Sequence, residues 1–137
     1  MVTMRRALAA LFALFALLAF VTLQAVPAIA ASADSPEARD PNVKRCADTA
    51  GKRLAGGGFD GARAAGATAR RADACILRWE ERFSASNATK VATLVVVPID
   101  TELLAGATRR KATLHARCGF NDGKLRAFEI VEQDKSC

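Results

Sequence analysis

The sequence of 137 residues is poor in several residue types on which common functional sites depend. It has no tyrosine and one tryptophan, so few aromatic rings are available to stack on single-stranded nucleic acid. His115 is the only histidine, and the four cysteines form no Cys-x-x-Cys pair, so zinc-ribbon and dithiol redox sites lose their usual ligand spacing. We therefore expect no cofactor, no metal site and no specific binding of nucleic acid.

Residues 1–33 have the three-part layout of a secretory signal peptide. Two arginines precede an apolar run at 7–21, which is shorter than the about 20 apolar residues that a membrane-spanning helix needs. Small residues then offer cleavage after Ala33 or, as the second choice, after Ala30. The alternative is an uncleaved signal anchor, and this segment would then be the only part of the chain to contact a membrane.

The chain that remains after cleavage is mildly basic. Without the two arginines of the signal segment, 20 basic residues become 18, against 14 acidic residues, which is a net charge of +4. The abundance of alanine and arginine is typical of GC-rich bacterial genomes, so we expect a periplasmic or extracellular protein. We predict a leader at 34–40 that is flexible, followed by a single small domain at 41–137.

The four cysteines predict disulfide bonds, because an even number in a small exported chain is typical of a disulfide-stabilised fold. Free buried thiols are the alternative. Four cysteines allow three pairings, and the choice between them depends on the fold. These cysteines are Cys46, Cys75, Cys118 and Cys137.

A helix is predicted at 41–54. Asp40 can accept backbone N–H groups at the helix start, and Pro41 suits the first helical position. Apolar residues recur at helical spacing from Val43 to Leu54, and three glycines follow. The alanine-rich segment 59–73 contains Gly66, and we interpret it as a loop or a frayed helix.

Alternating apolar residues predict four strands after this segment, with loops at 84–89 and 100–108. The strands are 75–83, 90–99, 111–120 and 124–131. The expected fold class is α+β, with one N-terminal helix packed on a four-stranded antiparallel meander that disulfides stabilise. If the helix runs antiparallel to the first strand, Cys46 lies near Cys118 and Cys75 lies near Cys137.

The last two strands are expected to form a hairpin with a three-residue turn at 121–123. This register pairs Ala116 with Phe128, and Leu114 with Ile130, so that apolar side chains share one face. It also places His115 opposite Glu129.

The strand at 90–99 is apolar on both faces and therefore needs cover on both. One helix covers one face, so we expect an apolar stripe on the other face that docks an unknown protein partner or a second copy in a homodimer. The alternative is that segment 56–73 folds over it. The candidate binding surface consists of Ile76, Arg78, Leu94, Val96 and Arg117.

Two further functional hypotheses rest on polar residues. Arg109, Arg110 and Lys111 form a basic patch that could bind an anionic envelope polymer, although solvation alone also explains it. His115 with Glu129 as an orienting partner would suit a small periplasmic hydrolase, but no nucleophile accompanies them. We rank an exported, non-enzymatic binding module that docks a protein first, polymer binding second and hydrolysis last.

Overall fold

The computed structural model describes residues 35–78, 81–84 and 86–137. The predicted signal peptide and its cleavage sites lie outside these residues. Among the residues that are described, no helix is both long and apolar enough to cross a membrane.

Two helices open the described chain. The first, α1 (Pro36–Arg39), is a single turn within the segment predicted as a flexible leader, and Ser35 Oγ accepts the Ala38 amide at its start. The second, α2 (Pro41–Gly57), begins where it was predicted, because the Asp40 carboxylate accepts the Asn42 amide at 2.8 Å. It continues past residue 54 to Gly57, and the residue that caps its end, Gly58, adopts a φ of 64°.

Seven strands follow within the described residues, all paired antiparallel, in two sheets. The main sheet has the order β1–β5–β6–β7, and β2 also pairs with β5; β3 and β4 form a separate two-stranded hairpin. One helix packed on an antiparallel sheet confirms the α+β class. The strands are β1 (Arg63–Ala69), β2 (Cys75–Leu77), β3 (Glu81–Arg82), β4 (Lys90–Val91), β5 (Thr93–Ala105), β6 (Thr108–Asn121) and β7 (Lys124–Val131).

The prediction of a loop or frayed helix at 59–73 is wrong, because this segment contains β1 and a short 3₁₀ turn, Arg71–Asp73. Strand β1 pairs with the far half of β5, and its register shifts between Ala65 and Thr68, around Gly66 at a φ of 62°. The predicted loop at 100–108 is also wrong. Strands β5 and β6 continue through it to a tight turn, since β1 provides a pairing partner there.

The predicted strand 75–83 is shorter than expected and its faces are reversed. Only β2 pairs with β5, and the chain returns to extended structure in β3. Ile76, predicted on the outer face, pairs with Val95 and packs towards α2. Cys75 and Leu77, predicted to face inward, pack on the opposite side of the sheet.

The β6–β7 hairpin has a different register from the prediction. Its turn has two residues, Asp122 and Gly123, both with positive φ, and a bulge follows it in β7. Ala116 therefore lies opposite Ile130 rather than Phe128. The bulge keeps these apolar side chains on the helix side, so the predicted face is right although the partners are wrong.

Two apolar clusters lie on opposite faces of the sheet. The larger, inner cluster lies between α2 and the sheet. The smaller, outer cluster lies beneath the β3–β4 hairpin and consists of Phe83, Val91, Leu94, Val96 and Ala127, with Cys75 and Leu77 packed against it.

The two disulfides have the pairing expected from the sequence. Cys46–Cys118 joins α2 to β6 within the inner cluster, with a Cα–Cα distance of 5.8 Å. Cys75–Cys137 joins β2 to the end of the chain, with a Cα–Cα distance of 6.2 Å. Each disulfide therefore secures one of the two faces of the sheet.

Candidate functional site

The apolar stripe predicted on the outer sheet face is buried. Leu94 is 3% exposed and Val96 is 2% exposed, because Phe83 and Val91 pack over them. The segment considered as the alternative cover, 56–73, instead extends the sheet sideways through β1. The outer face therefore lacks the exposed apolar anchors on which the docking hypothesis was based.

The other three members of the predicted surface do not come together either. Ile76 packs against the inner cluster, and Arg78 is exposed at the end of the described segment 35–78. The Arg117 side chain is on the outer face but only 12% exposed.

Arg117 connects three parts of the outer layer. Its Nε donates to Glu129 on β7 at 2.8 Å, and its Nη2 donates to the Phe83 carbonyl at 3.0 Å. Its Nη1 donates to the Asp134 carboxylate and to Ser136 Oγ in the C-terminal tail, residues 132–137. The Asp134 side chain is 2% exposed. Arg117 therefore has a structural role that the alternating strand pattern did not reveal.

The predicted basic patch is exposed, but two of its three members are paired with carboxylates. Arg109 Nε lies 3.4 Å from Glu102, and Arg110 makes a bidentate contact with Glu132 at 2.6 and 3.2 Å. This hydrogen-bonded pair raises the pKa of Arg110 and lowers the pKa of Glu132. Lys111 has no ion-pair partner among the described residues.

The exposed side of α2 presents a second group of basic side chains that the sequence analysis did not identify as a site. They are the first and last members of two rows of residues at i, i+4 and i+8. The ends of each row are about 12 Å apart along the helix axis. The rows are Lys44–Asp48–Lys52 and Arg45–Thr49–Arg53. This spacing is visible in the sequence and could have revealed the group.

The β6–β7 hairpin extends this group. Arg45 donates to the Gly123 carbonyl at 2.6 Å, which brings the turn and Lys124 beside the helix. The Arg53 guanidinium lies 5.4 Å from the centroid of the Phe128 ring on β7. We call these residues the α2 basic face: Lys44, Arg45, Lys52, Arg53 and Lys124.

Few acidic side chains lie beside the α2 basic face. Asp48 lies between two lysines, and its hydrogen bond from Lys44 at 2.9 Å is the main cause of the lowered pKa of its carboxyl. Asp122, in the adjoining turn, is the other acid, so the five cations of this face and these two acids together have a net charge of +3. Open grooves of about 390 and 520 Å³ run along the helix beside these side chains.

His115 and Glu129 do not form the pair that was predicted. His115 lies opposite Val131, and its Nδ1 is 3.3 Å from the Glu132 carbonyl oxygen, whereas Glu129 lies opposite Arg117. The two-residue shift in register causes this difference.

A further groove of about 590 Å³ crosses β1, β5 and β6 on the outer face. Its carboxylates already have partners: Asp100 contacts Arg70 at 3.1 Å and accepts the Thr113 hydroxyl at 2.8 Å, and Glu102 contacts Arg109. This groove therefore offers fewer unpaired charges than the α2 basic face.

Comparison with known proteins adds no relative of this chain. No protein-family model, no curated protein and no solved structure gives a significant match. The two disulfides are consistent with an exported protein.

Proposed function

We propose that this chain is an exported binding module, rather than an enzyme, that holds an anionic polymer on its α2 basic face. The compartment would be periplasmic or extracellular, where disulfides persist. The observation that supports this proposal most strongly is the uneven distribution of ion pairs between the two layers of the domain.

From β5 onward, the described Asp and Glu side chains each have an arginine partner, apart from Asp122 in the β6–β7 turn. Asp100 and Glu102 contact Arg70 and Arg109. The remaining pairs are Glu129 with Arg117, Glu132 with Arg110, and Asp134 with Arg117. These carboxylates are therefore paired within the protein, and the described strand cations without an ion pair, such as Arg63, Lys111 and Arg126, lie on different strands.

On the α2 basic face, Lys44 is the only cation with a carboxylate of a described residue within 4.0 Å, that of Asp48. Among the described residues, Arg45, Lys52, Arg53 and Lys124 form no ion pair. A polymer with phosphate, sulfate or carboxylate groups at regular intervals can contact several of these cations at once. Because they are exposed, the attraction should weaken as salt screens it, with a Debye length of about 8 Å at physiological ionic strength.

Binding to dextran sulfate, with neutral dextran as the control polymer, tests this proposal. We expect binding at low salt that weakens steeply as salt is added. The double variant Lys52→Glu/Arg53→Glu should reduce the affinity at least tenfold. The matched variant Arg109→Glu/Lys111→Glu makes an equal change in net charge, but on β6, and should alter the affinity less than threefold.

Two results would contradict the proposal. Absence of binding to dextran sulfate at low salt would show that the α2 basic face is only solvated. A larger loss from the β6 variant than from the α2 variant would assign the polymer to the patch that was predicted from the sequence.

Docking of a protein partner remains a prediction, but it needs a surface other than the buried Leu94 and Val96. Hydrolysis gains no support, since His115 contacts a backbone carbonyl rather than a carboxylate.

A further inference from the structure

One edge of β6 is unpaired along half of its length. Strand β5 pairs with β6 from Thr108 to Phe120. On the other edge, β7 ends at Val131 opposite His115, so residues 108–114 have no neighbouring strand there. At about 3.4 Å per residue, this open edge is about 24 Å long.

The hydrogen-bonding pattern of the hairpin identifies the backbone groups on this edge. Ala105 and Thr108 close the two-residue turn, so they exchange hydrogen bonds, and alternate residues along β6 then bond to β5. The N–H and C=O groups of Arg109, Lys111 and Thr113 consequently point away from β5. Within the described part of the chain, neither a strand nor a loop pairs with them.

The C-terminal tail is held away from this edge. After Val131 the chain leaves the line of β7, because Asp134 and Ser136 bind Arg117 on the outer face. The disulfide from Cys137 to Cys75 holds the end of the tail at β2. The tail therefore cannot continue β7 along 108–114 while these contacts persist.

Charge indicates what kind of strand fits the edge. Arg109, Arg110 and Lys111 are all exposed there, and Lys111 has no ion pair among the described residues. Glu132, the first residue beyond β7, already makes the bidentate contact with Arg110. An acidic side chain at the end of the line of β7 is thus accommodated, whereas a second copy of β6 would bring like charges together.

We propose that the open edge of β6 binds an extended, acidic segment of a partner protein, which adds to the sheet as a strand in line with β7. Main-chain hydrogen bonds to Arg109, Lys111 and Thr113 would supply affinity. Lys111, which has no ion pair among the described residues, would select an acidic side chain. This inference is independent of the α2 basic face. The alternative is that the basic side chains only prevent this edge from pairing with a strand of another chain.

The probe is a capped seven-residue peptide in which valine and glutamate alternate, with lysine in place of glutamate in the control peptide. Amide hydrogen exchange, followed by NMR, reports each backbone group separately. The acidic peptide should slow exchange at Arg109, Lys111 and Thr113 at least tenfold. The amides of Arg110 and Ala112, which already bond to β5, should change less than twofold.

Two variants at one position separate backbone pairing from charge. Lys111→Pro removes a donor that faces the open edge and leaves the bonds to β5 intact, so it should abolish binding. Lys111→Gln keeps the N–H group and should weaken binding only three- to tenfold. Lys52→Glu, on α2, should have no effect on the peptide.

Four results would overturn the inference. The first is an unchanged exchange rate at the three amides in the presence of millimolar acidic peptide. The second is equal binding by the proline and glutamine variants, and the third is equal binding of the lysine peptide. The fourth is protection of these amides in the free protein together with a dimer in sedimentation, which would identify a second copy as the occupant.

Discussion

The two disulfides should contribute unequally to stability, although the chain segments that they close are similar in length. Cys46–Cys118 spans 72 positions and Cys75–Cys137 spans 62. In the chain-entropy model these loops correspond to about 4.4 and about 4.3 kcal/mol. The difference of about 0.1 kcal/mol is too small to rank them, so the ranking depends on what the folded state loses.

The folded state loses more at the inner disulfide. Cys46 and Cys118 are 0% exposed within the cluster between α2 and the sheet, so replacing both with alanine leaves a cavity. The lost burial and the cavity should add about 1–2 kcal/mol. Cys137 is exposed, and Arg117 still holds the tail when the outer disulfide is absent.

We therefore expect the variant Cys46→Ala/Cys118→Ala to lose about 5–6 kcal/mol, and Cys75→Ala/Cys137→Ala about 4 kcal/mol. A domain of this size has a total stability of about 5–15 kcal/mol, so the first variant should be close to unfolding. Urea unfolding followed by circular dichroism would give the midpoints of the parent and both variants. Equal midpoints, or a lower midpoint for the outer variant, would refute the argument that burial sets the order.

Two further predictions concern the outer layer and use the same urea measurement. Gly119→Ala should lower the free energy of unfolding by about 1–3 kcal/mol, because the added Cβ would lie 2.3 Å from Val91 Cγ1. The control Gly51→Ala, in open space on α2, should raise it by about 0.5–1 kcal/mol. Similar effects of the two substitutions would contradict this prediction. Arg117→Met should cost about 2–4 kcal/mol, because it leaves the buried Asp134 carboxylate without a cation, and Arg117→Lys should cost less. Equal losses at Arg117 would show that packing, and not charge, is its contribution.

The parts of the fold that could be predicted from the sequence are those with strong contrast between apolar and polar positions. The apolar stripe of α2 and the alternation through β6 placed Cys46 and Cys118 on facing surfaces. The disulfide pairing then rested on an assumed helix direction, and it is correct although Cys75 was predicted on the wrong face. Asp40 and Pro41 marked the helix start because their effect is local.

Strand β1 could not be predicted in the same way. Its residues from Ala64 to Ala69 are mostly alanine, with Gly66, so neither face differs clearly in hydropathy. Only the pairing with β5, thirty or more residues later in the chain, makes this segment a strand. The bulge in β7 is equally invisible, because a shift of two residues keeps every side chain on its predicted face.

The candidate site could also be predicted only in part from the sequence. A strand apolar on both faces did require cover on both, and this inference was correct for Leu94 and Val96. The identity of the cover was wrong, because β3 and β4 form a separate hairpin that returns over the sheet. The rows on α2 were available from spacing alone, but the lack of ion pairs around Lys52 became apparent only from the structure.

The two disulfides also differ in what they hold in place for binding. Cys46–Cys118 fixes α2 to β6, and this keeps the basic side chains of the helix beside the turn at Gly123. Cys75–Cys137 fixes the tail on the outer face, and this keeps it off the open edge of β6. A reducing environment would therefore affect both proposed surfaces by separate routes, because it removes the covalent link between α2 and β6 and leaves the tail held only by its contacts with Arg117. An oxidising compartment, in which disulfides persist, is thus consistent with the proposed function as well as with the fold.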